Sequence, residues 1–115
     1  MYFYNVNGNV IYSKNKLEGN EELIPNIVDA SKEKHIPNVK INGSNVDVVV
    51  GSVIHPMEEK HYIEFILVET TKGFYVRNLK AGNEPRAHFE LTNEDIIAVY
   101  DYCNLHGLWV NKPNI

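Results

Sequence analysis

Val39-Lys40-Ile41-Asn42-Gly43-Ser44-Asn45-Val46-Asp47-Val48-Val49-Val50 decides the fold class, because two β-rich segments meet there at Asn42-Gly43. Asn and Gly both tolerate positive φ, and between apolar segments the pair is a strong short-range hairpin signal. Outward from it the pattern repeats. Asn7-Gly8 separates Tyr2–Val6 from Asn9–Tyr12, Thr71-Lys72-Gly73 separates His61–Glu69 from Phe74–Leu79, and Arg86–Leu91 alternates as a further short strand. Segments rich in Val, Ile, Tyr and Phe at this spacing predict an all-β sandwich or barrel. One stretch resists that reading. Thr92-Asn93-Glu94-Asp95, ahead of Ile96-Ile97-Ala98-Val99, has the form of a helix capping box. Read as a strand, the same stretch gives Ile97, Val99 and Cys103 one parity and Ile96, Ala98, Tyr100 and Tyr102 the other.

The chain has 115 residues, 43% of them apolar, which allows one domain of ordinary size with a real core. A formal net charge of −4 argues against a nucleic-acid binder, which needs a basic face. Cys103 has no partner cysteine, so a disulfide scaffold is excluded. The start lacks the form of a signal peptide, and no run approaches the roughly 20 apolar residues of a spanning helix. A cytoplasmic protein without membrane contact is expected. The first thirty or so residues hold several Asn and little continuous apolar surface. They read as a small hairpin appendage leading through Leu23-Ile24-Pro25 into the main domain.

Three clusters hold the chemistry: Glu33-Lys34-His35-Ile36-Pro37, His55-Pro56-Met57-Glu58-Glu59-Lys60-His61, and Cys103-Asn104-Leu105-His106-Gly107. Singly, each has a bland explanation as a solvated histidine, an inert core cysteine or a wet charged loop. Together they contain four of the five histidines and the only cysteine. Cys-x-x-His places a thiolate and an imidazole close enough to grip one ion. His55 and His61 would share a face of one strand, but Pro56 interrupts it, so a loop carrying both is expected. His61 shares parity with Ile63, Phe65 and Leu67, which places it where an apolar face meets solvent. A metal site at the rim of a sandwich follows. Four imidazoles and one thiolate suit closed tetrahedral zinc poorly, and blue copper would leave two histidines idle. The donor count leans towards iron with an open position.

The stretches 29–37, 51–64 and 102–109 resemble the superoxide reductases, which include neelaredoxin and the iron domain of desulfoferrodoxin. The likeness spans most of residues 28–112. It implies an immunoglobulin-like β-sandwich over residues 28–115, so residues 96–102 are taken as strand despite the capping-box signal. It implies one mononuclear iron, with His35, His55, His61 and His106 in a plane and the Cys103 sulfur axial. Glu33 would be the carboxylate that can take the sixth position, and Lys34 the cation beside the open side. Residues 1–27 correspond to a desulforedoxin-like module. The four cysteines that bind a second iron in that module are absent here, so no such centre can form. His88 matches no motif.

The activity the resemblance implies is reduction of superoxide to hydrogen peroxide, a detoxifying reaction. A rubredoxin-like protein would supply the electrons, and a homo-oligomer, dimer or tetramer, is expected. Two rivals are a non-catalytic β-sandwich module and an electron-transfer protein using the same iron. The full ligand set speaks against the first, and an open, cation-lined position against the second.

Overall fold

The computed structural model describes residues 1–27, 35–51 and 55–113. Ten strands run through them: β1 (Tyr2–Val6), β2 (Asn9–Ser13), β3 (Glu21–Leu23), β4 (Pro37–Asn42), β5 (Asn45–Val50), β6 (Ile63–Thr70), β7 (Gly73–Asn78), β8 (Arg86–Glu90), β9 (Ile96–Cys103) and β10 (Gly107–Asn111). No helix occurs among the described residues, and none is long and apolar enough to cross a membrane. The deciding hairpin forms with its register set one residue later than Asn42-Gly43 implies. Asn42 pairs with Asn45, leaving Gly43-Ser44 as the two-residue loop. Gly43 has φ of 62°, as the first position of a type II′ turn requires.

Three layers result. A four-stranded sheet of order β10-β9-β6-β7 faces a three-stranded sheet of order β4-β5-β8, and all their pairings are antiparallel. These seven strands make the immunoglobulin-like sandwich. Between the two sheets lie Val46, Val48 and Val50 with Ile63, Ile66, Val68, Phe89, Val99 and Cys103. The N-terminal portion is more than a hairpin. Strand β3 joins β1 and β2 in a third sheet, of order β2-β1-β3. That sheet covers the outer face of the four-stranded one through Phe3, which packs with Phe65, Leu67, Tyr100, Leu108 and Val110. The middle sheet is therefore covered on both faces, and β6 reads as a continuous buried run from Phe65 to Thr70.

Two bulges correct the expected parities. Ile63 pairs with Cys103, but Phe65 pairs with Tyr102, so the register shifts at Glu64. Ile63 faces the inner core, while Phe65 and Leu67 turn outward towards the N-terminal sheet. A second shift separates the pairs Glu69–Ala98 and Thr70–Ile96. Ile96 thereby joins Val99 and Cys103 inside, and Ile97 between them is exposed. An extra residue on one strand reverses every side chain beyond it. The capping-box signal dissolves for a tertiary reason. The Glu94 carboxylate accepts hydrogen bonds from the Thr70 and Tyr75 hydroxyls instead of closing a helical turn.

Candidate metal centre

Five of the expected side chains meet at one end of the sandwich. His35 directly precedes the segment entering β4, and Cys103 is the last residue of β9. His106 sits in the turn to β10. His55 lies in an irregular stretch, and His61 closes a tight turn in which the Glu58 and His61 backbones exchange two hydrogen bonds of 2.9 Å. His61 therefore precedes strand β6 rather than lying on it. Pro56 separates the two histidines, as its lack of an amide donor leads one to expect.

The four imidazoles form a closed square. Ring centroids lie 4.9 Å apart for His35–His55, 4.7 Å for His55–His61, 5.1 Å for His61–His106 and 4.8 Å for His106–His35. Each ring stands steeply to the next, at 62° to 79°. Donor atoms of His35, His61, Cys103 and His106 all lie within 4.8 Å of one another. His35 Nε2 is 3.1 Å from His106 Nδ1, which is in turn 3.8 Å from Cys103 Sγ. Cys103 is fully buried and His106 is exposed, so the cluster has a closed floor and a flank facing solvent.

The protonation states suit a cation. His55 Nδ1 lies 2.7 Å from the Pro56 carbonyl, which can only accept, so Nδ1 carries the hydrogen. Nε2 is then the lone-pair nitrogen, and it is buried without a hydrogen-bond partner among the described residues. A buried acceptor left so costs about 1–3 kcal/mol unless an ion takes it up. Metal-binding imidazoles characteristically donate their other N–H to a carbonyl in this manner. Burial pushes the His55 pKa down to about 4, and the neighbouring His35, His61 and His106 push the same way. Burial pushes the Cys103 thiol up, against the backbone amides of Leu105 and His106, which hydrogen-bond the sulfur and favour its anion. A bound cation tips that balance to the thiolate. Four imidazoles around one buried cysteine sulfur fit a single mononuclear iron.

Glu33 and Lys34 lie outside the described residues. His88 stands apart on the three-stranded sheet, 2.8 Å from Asp47, its pairing partner on β5. Sequence reasoning missed the residues that brace these side chains. Trp109 on β10 stacks on His35 at 4.6 Å and 12°. Asn111 Nδ2 donates to the Pro37 carbonyl at 2.8 Å, tying β10 to the His35 segment. Asn104 bonds the backbone on either side of His61.

Comparison with known proteins places this geometry. A family model described as desulfoferrodoxin matches residues 27–112. The chain is 43% identical to the desulfoferrodoxin of Clostridium acetobutylicum, over 76% of its own length and 69% of that protein. It is 48% identical to a desulfoferrodoxin homolog of Archaeoglobus fulgidus, over 70% of its length and 64% of that protein. The matches thus span about two thirds of these relatives. Superposition on the superoxide reductase of Treponema pallidum gives a TM-score of 0.83 at 31% identity, covering 96% of both chains.

Proposed function

The chain belongs to the desulfoferrodoxin family, and on that premise we propose that it is a superoxide reductase. Superoxide would take up one electron and two protons at the His35, His55, His61, His106 and Cys103 site and leave as hydrogen peroxide. The observation that carries this reading is the square of four imidazoles over one buried thiol, with a flank facing solvent. Held by these five side chains, iron would supply one-electron chemistry between its ferrous and ferric states.

The chain's own groups then have these tasks. His55, fixed in one tautomer by Pro56, presents Nε2 as a neutral donor. Cys103 gives up its proton and places negative charge on the closed side, and the amides of Leu105 and His106 moderate that charge. With one anionic and four neutral donors, the ferrous site keeps a local charge of about +1 on a molecule of net charge −4. A small anion is drawn to such a spot once it is within about a Debye length. By the family resemblance, Lys34 would be the further cation that steers it and orders the water delivering a proton, and Glu33 the carboxylate that can take the sixth position.

The same reading divides the chain into residues 1–27, a cover without metal, and 28–115, the iron domain. Since Cys103 is the only cysteine, electrons come from outside the chain, from a rubredoxin-like donor in the cytoplasm. The assembly would be a homodimer or homotetramer. Substitution tests the proposal. Cys103→Ser should abolish superoxide consumption, followed by pulse radiolysis, while metal analysis still finds iron bound. Undiminished consumption by Cys103→Ser would remove the thiolate from the reaction.

A further inference from the structure

The candidate donors reach one point from separate stretches of chain, and the β6–β9 ladder ends at Cys103, short of His61 and His106. The last β6–β9 pair before the site is Ile63–Cys103, and it lies beyond the bulge at Glu64. His61 exchanges two backbone hydrogen bonds with Glu58 within its own turn. Between that turn and the one carrying Cys103 and His106 the β6–β9 ladder leaves a gap.

Asn104 bridges that gap. Its main-chain amide donates to the Tyr62 carbonyl at 3.2 Å, a bond any residue could make. Its side chain makes two more. Oδ1 accepts from the Tyr62 amide at 2.9 Å, and Nδ2 donates to the Lys60 carbonyl at 3.1 Å. These two bonds bracket His61 on both sides. Only a carboxamide of this length supplies an acceptor and a donor together here: Asp lacks the donor, Ala lacks both, and Gln is a methylene too long.

We propose that Asn104 is a positioning residue that sets the separation of His61 from Cys103 and His106, and so governs how firmly the iron is held. The inference rests on the iron reading above. Groups supporting a ligand shell from outside typically change metal affinity on the order of 10- to 100-fold when removed.

The test compares the parent chain with Asn104→Ala and Asn104→Ser, each loaded with ferrous iron. Release to excess chelator is followed by fluorescence of Trp109, the only tryptophan, which stacks on His35. Asn104→Ala should lose iron on the order of 10- to 100-fold faster than the parent. Asn104→Ser retains one hydroxyl that can donate and accept, on a shorter arm than the carboxamide, and should fall between. The sulfur-to-iron charge-transfer band of the oxidised protein should shift in Asn104→Ala, while thermal unfolding of the metal-free forms stays close to the parent. Equal release rates would overturn the proposal. So would release that merely follows a collapse of metal-free stability, since that marks a purely structural residue. A parent that takes up no iron would defeat the underlying reading and this inference with it; failure in the variants alone defeats only the inference.

Discussion

At His55 a single hydrogen bond and a dry environment decide the chemistry. The Pro56 carbonyl fixes the proton on Nδ1, and burial holds the pKa near 4 against an ordinary value of 6.5. In the metal-free protein, stability from this group is complete above pH 6.5 and is lost as pH falls towards 4. There the unfolded chain binds a proton that the folded chain refuses. We expect metal-free parent protein to lose about 3 kcal/mol more than His55→Gln between pH 7 and pH 4, in urea unfolding. Parallel profiles would contradict the assignment. The convergence of these five side chains was legible from residue type, since four histidines and the sole cysteine fall in three short clusters. The residues supporting them were not. An asparagine in a turn or a tryptophan on a strand looks the same whether or not a ligand leans on it, and only the tertiary contacts of Asn104, Trp109 and Asn111 separate the cases.

Strands and turns show where period-two reasoning works and where it stops. The Asn-Gly pairs and the Thr71-Lys72-Gly73 stretch located three hairpins correctly, because turn chemistry is local. The parities along β6 and β9 failed because both strands are buried on both faces. A bulge there leaves no mark in a sequence that is apolar on either side. Glu64 and Ile97 are the residues at which the two faces exchange. The turn after β9 must return the chain to the ladder at once, since Gly107 pairs directly with Cys103. Gly107 does so at φ of 87°, and among the described residues a Cβ there would meet only Asn26 Nδ2, at 3.9 Å. Gly107→Ala should therefore cost about 1–2 kcal/mol through backbone strain rather than collision. Chemical unfolding of the metal-free variant measures it, and parental stability would show that the turn relaxes freely.

Across the whole molecule, three sheets stack, and the candidate metal site lies at one end of the sandwich they include. The N-terminal residues were expected to lack a core of their own, and Phe3 shows how they share one. It is buried among Phe65, Tyr100 and Leu108 on the outer face of the middle sheet, with the Tyr100 ring 4.7 Å away. Phe3→Ala should lower unfolding stability by about 3–5 kcal/mol while leaving iron binding intact below the transition. An unaltered denaturation midpoint would mean that the third sheet contributes nothing to the sandwich. That sheet's docking could not be foreseen because no local pattern reveals which face of β6 and β9 would need a cover. The convergence of side chains from separate turns is tested most directly by X-ray absorption at the iron edge of the reconstituted ferrous protein. One sulfur and four imidazole scatterers around each iron would be the predicted spectrum; a shell without sulfur, or with fewer than four imidazoles, would contradict it.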